Sequence, residues 1–318
     1  MNVGSFHVVA DLSWGIQGLA VTRIVSSLFG DVVVKNTVPE WNRQPESSPK
    51  GAAGPGAAFT ERRDLAPHLS AVHPHMLREI RAYEQWIEPG APFAPALRAS
   101  SRDLGMLVLE YVPGEIALNT PRANDPDIWH AAGTATRAFN GQPKTRNSSF
   151  DGGNISLLTR RIEAFRSGKA YVSRSAEEQK RIQAVCSASR AYLRDYEPHM
   201  LPLYTTHADN SPRNWMVTPD GNVRLIDFGR AGIRPRFAEF EMLYGTDPEL
   251  HSAFSAGLGL SGRAEEWDDA HRRSFTLHSA ALFLGGLEWA QQHGESDFQT
   301  DILNRDAWLL PLLHHEGR

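Results

Sequence analysis

The chain has 318 residues, of which 41% are hydrophobic and 22% charged, a composition typical of a soluble globular protein with one large domain or two. The formal net charge is -4 and no run of Lys and Arg occurs, so nothing indicates a nucleic-acid partner. The single cysteine, Cys186, excludes an intramolecular disulfide and fits a reducing compartment. No basic-then-apolar signal opens the sequence, and the most apolar segment, TLHSAALFLGGLEWA, is too short to cross a bilayer. We therefore expect a cytoplasmic protein with no membrane partner.

Three short β-branched runs open the chain and predict a three-stranded antiparallel start: FHVVADLS, AVTRIVSS and DVVVK. The stretch at about residues 41–70, which contains PESSPKGAAGPGAAF, is interpreted as an insertion loop without a fold of its own. From His73 to Ile87 apolar residues recur at helical spacing, which predicts a helix with one apolar face. That face comprises Met76, Ile80, Tyr83 and Ile87. GMLVLEYVPG predicts a further strand that ends in a Pro-Gly turn.

Beyond Gly114 the pattern becomes mostly helical. Asp125 and Pro126 form a typical N-cap and first-turn pair, followed by an apolar helical face. That face comprises Ile128, Ala132, Ala135 and Phe139. Residues 155–165 and 176–196 predict two more helices. A strand pair, LYTTH and WMVT, and then VRLID interrupt the helices, which resume from about Arg236.

The fold class predicted from this order is α+β with two lobes. A small β-rich lobe at residues 1–112 would be followed by a larger, mainly helical lobe at residues 113–318.

Two aspartates and an asparagine stand beside these later strands. Asp209 lies in HADNSPRN, Asn214 follows five residues later, and Asp227 begins Asp-Phe-Gly. In kinases an aspartate in this position accepts the proton of the attacking hydroxyl, and the later Asn and Asp hold magnesium. Hard oxygen ligands suit that ion. The spacing therefore predicts that the three side chains converge at a phosphoryl-transfer site.

A structural interpretation competes with this one. A lone Asp-Phe-Gly is common, and an aspartate at a strand end is commonly a turn former. His207 taken alone is better explained as a structural histidine. For Asp209, Asn214 and Asp227 together, residue type, order, spacing and strand context all agree, which favours the functional interpretation.

The segment TTHADNSPRNWMVTPDGNVRLIDFGRA resembles the aminoglycoside phosphotransferase and choline kinase family, in which two lobes clamp a nucleotide as in protein kinases. The resemblance implies that Asp209 is the catalytic base and that Asn214 and Asp227 bind Mg²⁺. It implies ATP or GTP as the co-substrate and a small-molecule hydroxyl as the acceptor. Ala208 stands where the family often has glycine, and Glu239 where relatives often carry an aspartate.

The same resemblance extends to the front of the chain. Lys35 closes DVVVK as the family's phosphate-contacting lysine does, and Glu79 stands where the family's helix carries the glutamate that pairs with it. The alternatives are a solvated strand-end lysine and an exposed helix residue. Arg78 and Glu84 compete with Glu79 for neighbouring roles.

Two further segments match the family less closely. SWGIQG fits the phosphate-covering turn, and an ordinary hairpin turn is the alternative. Its three candidate contacts to the nucleotide phosphates are Ser13, Gly15 and Gly18. LEYVPG resembles the hinge whose backbone binds the adenine edge, with Glu110 and Val112 as candidate nucleotide contacts.

The acceptor is left open by the sequence. Carboxylates are dense between Glu239 and Asp269, and they indicate either attraction for a polycationic aminoglycoside or a solvated helix face. Trp215, Trp267 and Trp289 are expected in the core rather than stacked on sugar rings.

The predicted function is a Mg-dependent small-molecule O-phosphotransferase, with an aminoglycoside or related antibiotic as one candidate acceptor. The sequence leaves open whether the role is drug resistance, biosynthesis or metabolism. The alternatives are a kinase of a choline- or homoserine-like metabolic alcohol and a non-catalytic kinase-like nucleotide-binding module. The sequence leaves the oligomeric state open.

Overall fold

The computed structural model describes residues 5–12, 19–37, 72–168, 171–173, 175–241, 243, 247–261, 266–294 and 296–315. The chain divides into two compact units. The front unit comprises Met1–Ile116 and Met216–Ala231, and the rear unit comprises Ala117–Trp215 and Gly232–Arg318. The predicted division follows the order of the chain, whereas the front unit also includes the later segment that carries Asp227. The predicted insertion loop lies outside the described residues.

A five-stranded antiparallel sheet with strand order β1-β2-β3-β5-β4 forms much of the front unit. Its strands are β1 Phe6–Asp11, β2 Leu19–Ser26, β3 Gly30–Thr37, β4 Leu97–Ser101 and β5 Met106–Glu110. The three opening strands and the strand in GMLVLE are confirmed. Strand β4 is not among the predicted strands because its sequence, LRASS, contains no β-branched residue.

The central strand β3 separates two environments. Val32 is fully buried and packs with Ile24 and Val108 in a small apolar core. Because side chains alternate along a strand, Lys35 lies on the opposite face of the sheet from Val32. Its register is fixed on both sides, since Lys35 pairs with Val21 on β2 and with Leu107 on β5.

The predicted helix near His73 is confirmed as α1, Pro74–Gln85. The side chain of His73 caps it by accepting a hydrogen bond from the His75 N–H, and Pro74 occupies the first turn, where its fixed φ suits a helix start. The four predicted apolar residues, Met76, Ile80, Tyr83 and Ile87, are all at most 8% exposed.

A second, small sheet lies in the front unit except for Trp215, which is assigned to the rear unit. Its strands, in the order β10-β9-β6, are β6 Glu115–Ile116, β9 Trp215–Val217 and β10 Val223–Leu225. Gly114, at φ 153°, approaches β9 so closely that a Cβ there would lie 2.3 Å from the Val217 carbonyl oxygen. The backbone therefore requires glycine at the end of the predicted hinge.

The rear unit contains most of the helices. They are α2 Pro126–Asn140, α3 Ser149–Arg166, α4 Ala176–Arg194, α5 Pro248–Leu258, α6 Asp269–His293, α7 Ser296–Asn304 and α8 Asp306–His315. The cap of α2 is confirmed, because Asp125 accepts a hydrogen bond from the Asp127 N–H at 3.0 Å. A large apolar core joins α3, α4, α6, α7 and α8 around residues such as Leu158, Val185 and Leu284.

A third sheet, in the order β11-β8-β7, also lies in the rear unit. Its strands are β7 Thr145–Asn147, β8 Leu201–Thr206 and β11 Gly232–Arg234. The prediction that LYTTH and WMVT pair with each other is therefore wrong, since the first forms β8 and the second forms β9 of another sheet. The two runs are both apolar, and local pattern does not specify which distant strands they join.

Among the described helices, none combines the length and the apolar character that a membrane span requires.

Candidate active site

A buried ion pair links β3 to α1 in the front unit. Lys35 Nζ lies 2.8 and 2.6 Å from the two carboxylate oxygens of Glu79. Both side chains are largely enclosed, at 12% and 2% exposure, so the solvated alternatives for these residues are wrong. The competitor Glu84 instead accepts hydrogen bonds from Ser100 and Arg102.

Burial and charge act in opposite directions on this pair. Burial lowers the pKa of Lys35, but the carboxylates of Glu79 and Asp227 outweigh it, so the net effect is a raised pKa and a persistent positive charge. Burial raises the pKa of Glu79; Lys35 opposes this shift and Asp227 adds to it. The ion pair thus holds a fixed cation in a poorly solvated position.

Asp227 completes this cluster. Its Oδ1 lies 3.6 Å from Lys35 Nζ, and its side chain is 32% exposed. The residue adopts the left-handed conformation, with φ 62° and ψ 67°, at the start of the short 3₁₀ turn Phe228–Arg230. Non-glycine residues adopt this conformation at a cost, and such residues concentrate at functional sites.

The loop that follows β8 presents Asp209 in the rear unit. Asn214 Nδ2 donates to the Asp209 carbonyl oxygen at 2.8 Å and to Asp209 Oδ2 at 3.1 Å. Arg213 Nη2 donates to the other carboxylate oxygen, Oδ1, at 2.6 Å. Asp209 is thus held at both oxygens. Sequence reasoning did not single out Arg213, although it lies inside the quoted motif four residues after Asp209.

Asn214 and Asp227 each carry an oxygen of the type that magnesium prefers. Because the amide nitrogen of Asn214 faces Asp209, its carbonyl oxygen is the atom that this side chain can offer to a cation. Asp227 offers a partly exposed carboxylate. In the described part of the chain, no cluster of three or more His, Cys, Asp or Glu side chains could hold a metal. Magnesium usually keeps waters and binds substrate phosphates, so it needs few protein ligands.

A buried carboxylate anchors the Asp209 loop from behind. Glu239, fully buried, accepts hydrogen bonds from the backbone N–H of His207 at 2.9 Å and of Ala208 at 3.2 Å. Its oxygens also accept from Asn210 Nδ2 at 2.7 Å and Asn140 Nδ2 at 2.8 Å. Sequence reasoning recognised Glu239 as a structural carboxylate but missed Asn140, which no local motif marks.

Ala208 adopts the left-handed conformation, with φ 58°, between His207 and Asp209. Glycine occupies this region without the steric penalty that a Cβ introduces. The Ala208 N–H donates to the Glu239 carboxylate, which helps to hold the backbone in this conformation.

The residues of the predicted hinge differ in their hydrogen bonds and burial. Glu110 N–H donates to the Ala96 carbonyl at 2.8 Å, and Tyr111 N–H to the Asp31 carbonyl at 3.3 Å. The Glu110 carboxylate accepts from Arg224 and from the Ala96 N–H. Val112 is 5% exposed. Ser13, Gly15 and Gly18 lie outside the described residues.

Comparison with known proteins identifies the family. The model of the Phosphotransferase enzyme family matches residues 60–275, more than half of the chain. The chain belongs to the phosphotransferase enzyme family. No curated protein sequence matches it.

Solved structures resemble this phosphotransferase in fold. A thermostable mutant of the aminoglycoside phosphotransferase APH(4)-Ia, in ternary complex with AMP-PNP and hygromycin B, aligns with a TM-score of 0.61 at 12% identity, covering 97% of this chain and 95% of its own. The GDP and kanamycin complex of APH(2")-IIia aligns with a TM-score of 0.53 at 12% identity, covering 97% and 94%. The predicted α+β, protein-kinase-like fold and the small-molecule kinase class are confirmed.

Several acidic residues between Glu239 and Asp269 have partners within this phosphotransferase. Besides Glu239, they include the buried Glu241, which contacts His278 and Arg234, the helix caps Asp247 and Asp268, and Asp269, which pairs with Arg272. Glu265 and the basic Arg263 lie outside the described residues. Glu239 and Glu241 are buried, whereas the other described carboxylates are exposed, as expected for a solvated helix face: Asp247, Glu249, Glu266, Asp268 and Asp269.

The predicted tryptophans differ in environment. Trp215 is fully buried and stacks on Phe254, and Trp267 packs against Phe237 and Phe275. The prediction of core packing is wrong for Trp289, which is 46% exposed on α6.

Proposed function

We propose that this chain transfers the γ-phosphoryl group of ATP or GTP to a hydroxyl of a small molecule in the cytoplasm, with Mg²⁺ as the metal. The observation that carries the proposal is the enclosed cation of Lys35, held by Glu79 and flanked by Asp227. A fixed positive charge beside a partly exposed carboxylate suits a nucleotide phosphate with its metal ion.

Each residue has a chemical role in this proposal. Lys35 binds phosphate oxygens of the nucleotide, and Glu79 keeps its ammonium group in place. Asp209 orients the acceptor hydroxyl and accepts its proton as the acceptor oxygen bonds to the γ-phosphorus and the bond to the leaving nucleoside diphosphate breaks. Bound magnesium, held by Asn214 and Asp227, would neutralise charge on the phosphate oxygens.

The hinge segment is proposed to bind the purine through its backbone. The N–H groups of Glu110 and Tyr111 already donate to carbonyls of the front unit. We therefore assign the purine contact to the N–H of Val112 and interpret the Glu110 side chain as a support that fixes the hinge through Arg224.

Two acceptor classes compete. The two solved structures described above contain hygromycin B and kanamycin, which supports an aminoglycoside or related antibiotic, and with it a role in resistance. The internal partners of the acidic residues instead favour a less cationic acceptor, such as a choline- or homoserine-like metabolic alcohol. The experiment is a panel of both classes assayed for magnesium-dependent ADP or GDP release, with product phosphorylation verified by mass spectrometry.

The Asp209→Ala variant separates catalysis from nucleotide binding. We expect it to keep nucleotide-dependent thermal stabilisation and to lose phosphoryl transfer on the acceptor found in the panel. Turnover at the wild-type rate would refute the assignment of the base. A wild-type protein that binds nucleotide but transfers phosphate to no acceptor would favour the non-catalytic module.

A further inference from the structure

Helix α1 contacts the Asp-Phe-Gly turn at several points within the front unit, and one of them is a hydrogen bond from the Phe228 backbone N–H to the Glu79 carboxylate. Arg78 Nε donates a hydrogen bond to the Gly229 carbonyl at 2.8 Å. Gly229 lies so close to the helix that a Cβ on it would be 3.2 Å from His75 Nδ1. One turn further along, Tyr83 packs edge-on against Phe228, with ring centroids 5.5 Å apart.

These contacts act on a strained segment. Asp227 precedes the turn in the left-handed conformation, which a non-glycine residue keeps only where its surroundings enforce it. Phe228 and Gly229 are both buried, so the turn itself is enclosed. Among the described contacts, the charged group that donates to the Gly229 carbonyl is Arg78. Gly229 lies two residues after Asp227.

Arg78 also stands next to Glu79 in sequence. Consecutive residues of α1 therefore hold the site together: Glu79 binds Lys35 and accepts a hydrogen bond from the Phe228 backbone, and Arg78 binds the Gly229 carbonyl. Because both bonds start from one helix, the position of α1 determines the separation of Lys35 from the Asp227 carboxylate, which is 3.6 Å here.

We propose that Arg78 is a positioning residue that fixes the Asp-Phe-Gly turn on α1, so that Asp227 presents its carboxylate to the metal ion of the bound nucleotide. This inference rests on the proposed function. In this role, Arg78 affects the metal-dependent part of nucleotide binding, whereas a purely structural residue would affect binding with and without metal alike.

The test compares Arg78→Gln with Arg81→Gln. Arg81 is an exposed arginine of the same helix that bonds Gln85 within α1 and lies over Trp86, so it is a matched control. ADP affinity is measured by calorimetry with MgCl₂ and again with EDTA. We expect Arg78→Gln to weaken ADP binding about three- to tenfold with MgCl₂, the range for one lost hydrogen bond, and to leave binding in EDTA unchanged. Arg81→Gln should match the wild type in both conditions.

Three results would overturn the inference. Arg78→Gln could bind ADP like the wild type in MgCl₂, it could lose the same affinity in EDTA, or Arg81→Gln could show the same loss. If Arg78→Gln does not fold, Arg78→Lys, which keeps the charge, serves instead and is expected to show a smaller loss confined to MgCl₂. A wild-type protein whose ADP affinity is indifferent to magnesium would overturn the proposed function itself, and this inference with it.

Discussion

Arg213 Nη2 lies 2.6 Å from Asp209 Oδ1, so the proposed base is ion-paired with a residue of its own loop. Asn214 holds the other carboxylate oxygen, and together the two donors fix one orientation of the side chain. Base catalysis depends on orientation as well as on charge. Arg213, at 39% exposure, is therefore expected to affect turnover more than folding.

Arg213→Ala tests this relationship. We expect kcat to fall about tenfold, because Asp209 loses the donor that holds its Oδ1, while KM for the nucleotide stays within about twofold. Arg213→Lys should recover part of kcat. The control is Arg190→Ala, which removes a half-exposed arginine of α4 and should leave both constants unchanged. An unaltered kcat in Arg213→Ala would mean that the base is oriented without Arg213.

Removing only the cation of the buried pair should destabilise the fold. Lys35→Met leaves the Glu79 carboxylate enclosed without its partner, at an expected cost of about 3–5 kcal/mol near neutral pH. Since burial already raises the pKa of Glu79, the variant should lose little stability in acid, where the carboxyl is protonated, and progressively more as pH rises through that raised pKa. Urea unfolding at several pH values measures this.

The double variant Lys35→Met/Glu79→Leu distinguishes stability from function. It replaces the pair by apolar side chains and should regain most of the stability lost in Lys35→Met. Nucleotide-dependent thermal stabilisation should remain absent, because the cation is missing. Recovery of nucleotide binding in the double variant would contradict the role proposed for Lys35.

Features encoded by local pattern are those that sequence reasoning identified. The strands β1 to β3, the helix α1 and the Asp125 cap follow from residue periodicity and from capping chemistry over a few residues. The pairing of Lys35 with Glu79 followed from family resemblance, and the contact itself is present.

Features created by long-range contact were missed. Strand β4 has no strand-forming composition and exists because β5 offers it a partner. The strands β8 and β9 are apolar runs whose partners lie in different sheets. Asn140 reaches Glu239 from another element, and no spacing within a motif records that contact. The assignment of catalytic roles remains a prediction for the experiments above.

The left-handed Ala208 predicts a mild stabilisation by glycine. Relief of about 1–2 kcal/mol of backbone strain is opposed by about 0.5–1 kcal/mol of extra chain entropy in the unfolded state. Ala208→Gly should therefore gain up to about 1.5 kcal/mol and keep its activity. Ala208→Val, which adds a branched side chain at a fully buried position, should be strongly destabilised. A loss of stability in Ala208→Gly, measured by urea unfolding, would show that the alanine methyl packs favourably.

Two glycines allow α2 and α5 to approach closely. A Cβ on Gly133 would lie 2.1 Å from the Phe254 carbonyl oxygen, and one on Gly257 would lie 2.1 Å from the His130 carbonyl oxygen. Gly133→Ala and Gly257→Ala should each cost about 1–3 kcal/mol, because the helices must separate. The control is the exposed Gly153 of α3, where a Cβ meets nothing within 4 Å. Gly153→Ala should stabilise the protein by about 0.5–1 kcal/mol. Equal effects at all three sites in thermal unfolding would contradict this account.

The sole cysteine reports on unfolding. Cys186 is 6% exposed, and burial raises the pKa of its thiol to about 11, above the usual 9.0. At pH 8 the native thiolate fraction is then about 100-fold lower than in the unfolded chain, before any steric protection. Because the folded pKa is raised, the stability that the protonated thiol contributes is fully present below pH 9.0 and is lost as pH rises through about 11.

Labelling with iodoacetamide at pH 8, followed by intact mass measurement, tests the difference in thiolate fraction. The reagent should label the urea-unfolded chain quickly and the native protein very slowly. The unfolded chain is the positive control for reagent and thiol. Rapid labelling of the native protein would mean that the α4 packing around Cys186 opens without global unfolding.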